Sequence, residues 1–210
     1  MTLLTDPTTG IDIERARAVA LLLLEHATNG DAGRSESDPV YVEVTEKRDF
    51  GAKYSSCGDL CHWLHFRLGV RSDYLNRAEH KGWRVAQNIS RLAWRCPAAR
   101  PPKAGERFSA GDVLIVFNQK NGLDAHALVV RDHTGDEVHS ADYGQPGGAR
   151  KTRKLNVDPR GALVLGGRRV QFVLPLFDVL TGAARRGELA PVDIPPDAER
   201  ALPDAAQGVA

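Results

Sequence analysis

The chain has 210 residues, 42% of them hydrophobic, and a formal charge of +1. It is long enough to bury one sizeable core and carries no charge excess of the kind that draws a protein onto nucleic acid or an anionic membrane. Three cysteines, Cys57, Cys61 and Cys96, are too few and too odd in number for a disulfide framework, so each thiol is left to chemistry or packing.

Met1 to Gly10 lacks the basic start of a secretory signal, and no apolar run is long enough to span a membrane. The expectation is a cytoplasmic protein, released if at all by lysis or a specialised secretion system. Ile11 to Ala27 has Ile13, Ala16, Ala20, Leu23 and Leu24 on one helical face, with Asn29-Gly30 as a stop signal. A loop rich in Asn, Gly, Ser and Pro follows to Pro39, and the alternation Val40-Tyr41-Val42-Glu43-Val44 predicts a short strand. Cys57 to Leu68 places Cys57, Leu60, Cys61, Leu64, Phe66 and Leu68 in a helix buried on much of its circumference and ended by Gly69. Amphipathic helical pieces are expected between Ser72 and Leu92, and the stretch Pro97 to Pro102 then forbids regular structure.

Strand signals come next, at Val113 to Phe117, Ala127 to Arg131, Glu137 to Ala141, Ala162 to Leu165 and Arg168 to Leu174. The turns between them, Asn121-Gly122, Thr134-Gly135-Asp136 and Gly166-Gly167, are short enough to imply an antiparallel meander. A helical half followed by such a sheet is an α+β layout, with the Cys57 helix packed across the sheet and an extra helix at the N-terminus. Gly182 to Ala210, rich in Ala, Pro and Gly, reads as an extended or mobile tail.

Chemistry concentrates at Cys57. A thiol in the first turn of a helix faces unpaired N–H groups and the positive end of the dipole, both of which favour thiolate. Tyr54 and Ser56 precede it as cleft-lining residues, and Gly58 removes a side chain where substrate must approach closely. His126, on a strand, is the base if the sheet brings it beside the helix start. A third group normally orients such a histidine. His139 and Asp142, on the returning strand, both qualify, but they lie an odd number of residues apart, so one undisturbed strand aims only one of them at His126. Tyr143 opens the Gly144 to Gly148 turn at the cleft margin.

The order Ser56-Cys57-Gly58, then Gly111-Asp112-Val113-Leu114, then Ala125-His126-Ala127-Leu128-Val129-Val130, then Val138-His139-Ser140-Ala141 resembles the papain-like bacterial cell-wall cysteine peptidases of the NlpC type and the related CHAP amidases. The likeness runs from Tyr54 to Leu174. It implies a papain-like fold, with residues 1–39 as an N-terminal helix and loop, 40–180 as the hydrolase domain and 181–210 as the tail. It also implies cleavage of an amide in peptidoglycan through a thioester on Cys57, with His126 as base and no cofactor. In the NlpC type the third member maps onto His139; in CHAP enzymes it is acidic and nearer Asp142. The sequence departs from the family's common Asp-Cys-Ser-Gly, which is Ser56-Cys57-Gly58-Asp59 here, and from the usual glycine before the histidine, which is Ala125. Alternatives on the same scaffold are a non-catalytic binding or assembly module and a deamidase or acyltransferase effector directed at proteins.

Other constellations read more plainly. Cys57, Cys61, His62 and His65 share helix faces, yet one helix spreads them over roughly 12 Å and cannot close a tetrahedron around a metal. Cys61 and Cys96 read as core thiols. Gly144 to Gly148 lacks the Lys-Ser/Thr of a phosphate loop. The basic run Arg150-Lys151-Thr152-Arg153-Lys154 reads as a solvated strand face, with contact to an anionic wall polymer as the alternative.

Overall fold

The computed structural model describes residues 4–6, 10–28, 40, 43–44, 57–71, 96–118, 125–143 and 149–194. Strands β1 (Leu4–Asp6) and β2 (Gly10–Ile11) pair antiparallel and lead into helix α1 (Ile13–Thr28). Asp12 starts this helix: its Oδ1 accepts the N–H of Arg15 at 3.0 Å, satisfying one of the donors that the first turn leaves open. Ala16, Val19, Ala20, Leu23, Leu24 and Ala27 recur at helical spacing and are fully buried, which makes α1 a core helix. Val40, Glu43 and Val44 are helical, where alternation predicted a strand. Tertiary ties override the β preference there: Glu43 accepts from Trp63 Nε1 at 3.1 Å and Arg67 Nη2 at 2.8 Å, and lies 3.1 Å from His26 Nε2.

Helix α2 (Cys57–Arg67) is buried from Cys57 through His65, and only at Phe66 does a side chain emerge. It ends in a Schellman motif, with Gly69 N–H on the Phe66 carbonyl and Val70 N–H on the His65 carbonyl, both at 3.0 Å. Gly69 has φ +93°, and a Cβ there would sit 2.1 Å from the Ala190 carbonyl oxygen, so the position excludes a side chain twice over. Residues 186–194 run back along this end of α2, through a Val70–Leu189 bridge and an Asp193 N–H bond to the Arg67 carbonyl at 2.8 Å.

The strands are β3 (Val113–Asn118), β4 (Ala125–Thr134), β5 (Glu137–Ala141), β6 (Arg150–Val157), β7 (Leu163–Leu165) and β8 (Arg168–Leu174). They pair antiparallel in chain order, and β8 returns to pair with β3, closing a six-stranded barrel. The expected α+β papain-like architecture, a helix laid across an open sheet, is therefore overturned. Two features close the sheet. The basic run forms β6, which bridges β5 to β7; and register shifts between Val130 and Asp132 of β4 and between Ile115 and Val116 of β3 mark bulges that bend the strands.

Alternation along the strands divides the core. Leu114, Val116, Leu128, Val130, Val138, Leu163, Leu165, Val170 and Val173 pack together with Phe108 inside the barrel. Val113, Ile115, Ala127, Val129, Ala141, Phe172 and Leu174 face outward into a second cluster with α1, α2 and the last helix, α3 (Leu176–Arg185). Gly182, where a tail was expected to begin, lies within α3. Pro175 precedes α3 without a side-chain cap, and the buried Asp112 takes that role from across the fold. Its Oδ1 accepts Leu176 N–H at 2.9 Å and its Oδ2 accepts Ser109 N–H at 2.8 Å, a carboxylate at the positive end of a helix. The Gly111-Asp112 motif is thus a structural joint. The helical pieces expected between Ser72 and Leu92 and the Gly144 to Gly148 turn lie outside the described residues, as do Tyr54 and Ser56.

Candidate active site

Cys57 occupies the first turn of α2 and is 1% exposed. Register pairs His126 with Val116, which sets the imidazole at the start of β4 on the side that carries Leu128 and Val130. Asp142 follows β5 directly, and its N–H bond to the Ala149 carbonyl at 2.7 Å extends the β5–β6 ladder past the last strand residue. Asp142 Oδ2 lies 2.7 Å from His126 Nε2, both side chains being shut off from solvent. That bond occupies Nε2, and so fixes Nδ1 as the nitrogen left for a reaction partner.

Cys57 acts on this ring as well as Asp142. Burial alone would lower the pKa of His126, but the hydrogen bond to the Asp142 carboxylate and then the interaction with Cys57 reverse this, and the ring is held at about 9. Nδ1 has no hydrogen-bond partner among the described residues. Asp142 shows the complementary behaviour. Burial pushes its pKa up, yet the bonds from His126 and Arg153 outweigh this and hold it at about 2.

Two residues that the sequence reading did not assign to the site, Arg153 and Ser140, complete the cluster. Arg153 of β6 grips Asp142 with both arms, Nη2 to Oδ2 at 2.7 Å and Nη1 to Oδ1 at 3.1 Å. Ser140 donates to Asp142 Oδ1 at 2.6 Å and accepts from Arg153 Nη1 at 2.8 Å. The signal for Arg153 was there in alternation: Lys151, Arg153 and Leu155 share the less exposed side of β6, and Leu155 reaches the barrel core. A run of basic residues conceals that two-residue period.

His139 stands apart from this group. It pairs with Thr152 in register, and its Nδ1 lies 2.9 Å from the Thr152 hydroxyl on the exposed side of the strand. Of the two candidates for the third residue, the structure brings Asp142 to His126. Gly58 is buried beside Cys57 in α2. Tyr143 is 2% exposed, and its hydroxyl donates to the Ala27 carbonyl at 2.6 Å, so it braces the Asp142 segment against the end of α1. Arg150 does the same from the far side of the turn, with Nε on Thr28 Oγ1 at 3.1 Å and Nη2 on Glu25 at 2.6 Å. The second thiol of α2, Cys61, donates to the Cys57 carbonyl at 3.4 Å. Burial above all, then the charges of Cys57, Asp142 and Asp59, push its pKa far upward, into the range of an inert core thiol.

No protein-family model matches the chain, and no curated protein matches it. Among solved structures it is similar to the crystal structure of Ly7917 with the hydrolyzing product of MDP, with a TM-score of 0.42 and 12% identity over 76% of this chain. It is similar also to the crystal structure of Ly7917 without that description, with a TM-score of 0.41 and 12% identity over 78% of this chain. The chain spans 62% of the length of each of these structures.

Proposed function

We propose that this protein is a cysteine-dependent amide hydrolase in which Cys57 is the nucleophile, His126 the proton shuttle and Asp142 the group that orients His126. The observation that supports it is the buried 2.7 Å bond between Asp142 and His126 Nε2, which leaves Nδ1 to the thiol in the first turn of α2. The coupling between Cys57 and His126 is reciprocal, so the imidazolium favours the thiolate as the thiolate favours the imidazolium.

In this reading the Cys57 sulfur attacks the carbonyl carbon of the amide, and the oxyanion meets the Cys57 backbone N–H at the open end of α2. The proton on His126 Nδ1 passes to the departing amine as the C–N bond breaks, leaving a thioester. Water then gives its proton to Nδ1 and its oxygen to the acyl carbon, and the carboxylic product and the Cys57–His126 pair are released. Throughout, Asp142 holds Nε2–H and stabilises each imidazolium stage. Peptidoglycan is the proposed substrate, on the motif order around Cys57, His126 and Asp142.

The test is digestion of peptidoglycan fragments, read by mass spectrometry for the gain of one water across an amide. Wild type yields new amine and carboxyl termini, and Cys57→Ser and His126→Ala yield none; products from Cys57→Ser would end the proposal. A second reading, a binding module without turnover, is favoured by one observation, the near-complete burial of both Cys57 and His126 at 1% exposure each. Slow alkylation of Cys57, equal to that of Cys61 and insensitive to His126→Ala, would establish it.

A further inference from the structure

We infer that Arg153 is a positioning residue of this site, fixing the Asp142 carboxylate against His126 from inside the barrel. The inference rests on the catalytic reading of Cys57 and His126, and its geometry is separate from that of the reacting atoms. A carboxylate that only balanced an imidazolium would be free to rotate about its own bond. Asp142 is not, because both oxygens are taken up: Oδ2 between His126 Nε2 and Arg153 Nη2, Oδ1 between Ser140 Oγ and Arg153 Nη1. The planar guanidinium fork matches the carboxylate plane, so the plane itself is set, and with it the line along which His126 is held.

The fold makes room for this arm. Arg153 pairs with Val138, and its stem passes close to Gly166 of the β7–β8 turn. A Cβ on Gly166 of that turn would lie 3.0 Å from Arg153 Cδ and 3.3 Å from Cγ, and Gly166 holds φ +54°. The turn leaves the path of the arginine stem clear. The Arg153 side chain is 19% exposed while Asp142 is fully covered.

Every element around Asp142 bears on its charge. His126 of β4 and Arg153 of β6 favour the anion, and Ser140 of β5 donates to it. From α2, the Cys61 thiol senses the Asp142 and Asp59 charges, and Cys57 acts through His126. Arg153 is the permanent cation in this set; His126 changes charge during the reaction. Arg153 therefore keeps Asp142 ionised while the imidazole cycles.

Protonation of Asp142 is readable as an acid step in the His126 ring-proton chemical shift. Wild type is expected to have no such step above about pH 3, whereas Arg153→Met moves it into the range of about pH 3 to 5, a change in ionisation constant of at least about tenfold. Arg153→Lys keeps the cation and restores most of the wild-type behaviour. If the methionine variant fails to fold, Arg153→Gln replaces it in the same measurement. An acid step that stays at the wild-type pH in a folded Met or Gln variant, whatever the melting temperature does, overturns the inference, because a merely structural arginine would lower stability without moving Asp142. The readout does not need turnover. Protein inert toward amides whose acid step follows Arg153 refutes the catalytic reading alone, and active protein whose acid step ignores Arg153 refutes this inference alone.

Discussion

Replacing Asp142 with asparagine isolates what the carboxylate does for His126. The two groups meet at 2.7 Å with side-chain exposures of 1% and 0%. Charge centres roughly 4 Å apart attract by about 4 kcal/mol at an effective dielectric near 20. The sharing of the carboxylate with Arg153 reduces that figure. A net effect of about 2–3 kcal/mol remains, equivalent to a fall of about 2 in the His126 pKa from its native value of about 9. At pH 7 the histidine of Asp142→Asn is then about half unprotonated, and the thiolate that it supports declines with it. Folding also suffers, by about 3 kcal/mol, because the Arg153 guanidinium is left against a neutral amide in a covered site. The assay is a nuclear magnetic resonance titration of the His126 ring, run beside the pH profile of Cys57 alkylation. A His126 pKa that stays near 9 in the folded variant would refute the reasoning, since it would make Cys57 alone the source of the perturbation.

Three further expectations concern the frame around the site. His65 is buried, and burial first and His62 second lower its pKa to about 4. The unfolded chain therefore takes up this proton first, and the stabilisation it represents is complete above the ordinary value of 6.5 and lost as pH falls from there to about 4, a difference of about 3 kcal/mol. Urea denaturation at pH 7.5 and 4.5 should show this loss in wild type and a smaller one in His65→Leu; equal losses would remove His65 as the cause. Gly69→Ala drives a Cβ into a backbone carbonyl, whereas Gly111→Ala meets first the end of the Leu176 side chain at 2.6 Å. Thermal denaturation should accordingly find the Gly69 variant the more destabilised, by about 3 kcal/mol or more against wild type, and the reverse order would contradict the geometry. Tyr143→Phe leaves the Ala27 carbonyl without its donor and should cost about 1–2 kcal/mol in denaturant unfolding; a cost near zero would mean that water replaces the hydroxyl.

Much of the site was legible in the chain because it depends on local rules. A thiol at a helix start, a histidine on a strand and the two-residue hairpin at Gly135-Asp136 are short-range facts, and the hairpin alone predicts that β5 returns beside β4. The strands expected at Val113 to Phe117, Glu137 to Ala141 and Arg168 to Leu174 followed from short apolar-rich runs set off by turn residues, and α1 from its stripe at helical spacing. The choice between His139 and Asp142 was posed by the sequence as a question of parity. It could not be answered there, because Asp142 lies just past the strand, where the ladder continues through Ala149.

Barrel closure belongs to tertiary structure alone. It requires β3 to pair with a strand fifty or more residues away and depends on bulges that no period announces. β6 was hidden for a related reason, since its charged residues mask alternation until one sees that Leu155 reaches the core and Arg153 a buried carboxylate. The sequence by itself determined α1, α2 and five of the six barrel strands, and singled out Cys57 and His126 as candidates, through patterns that act over a few residues. Only the folded chain decided which strand closes the sheet, which carboxylate meets the histidine and which arginine holds it, because each choice is made by contacts between segments far apart in the chain, where burial leaves an ionised group no alternative to a partner.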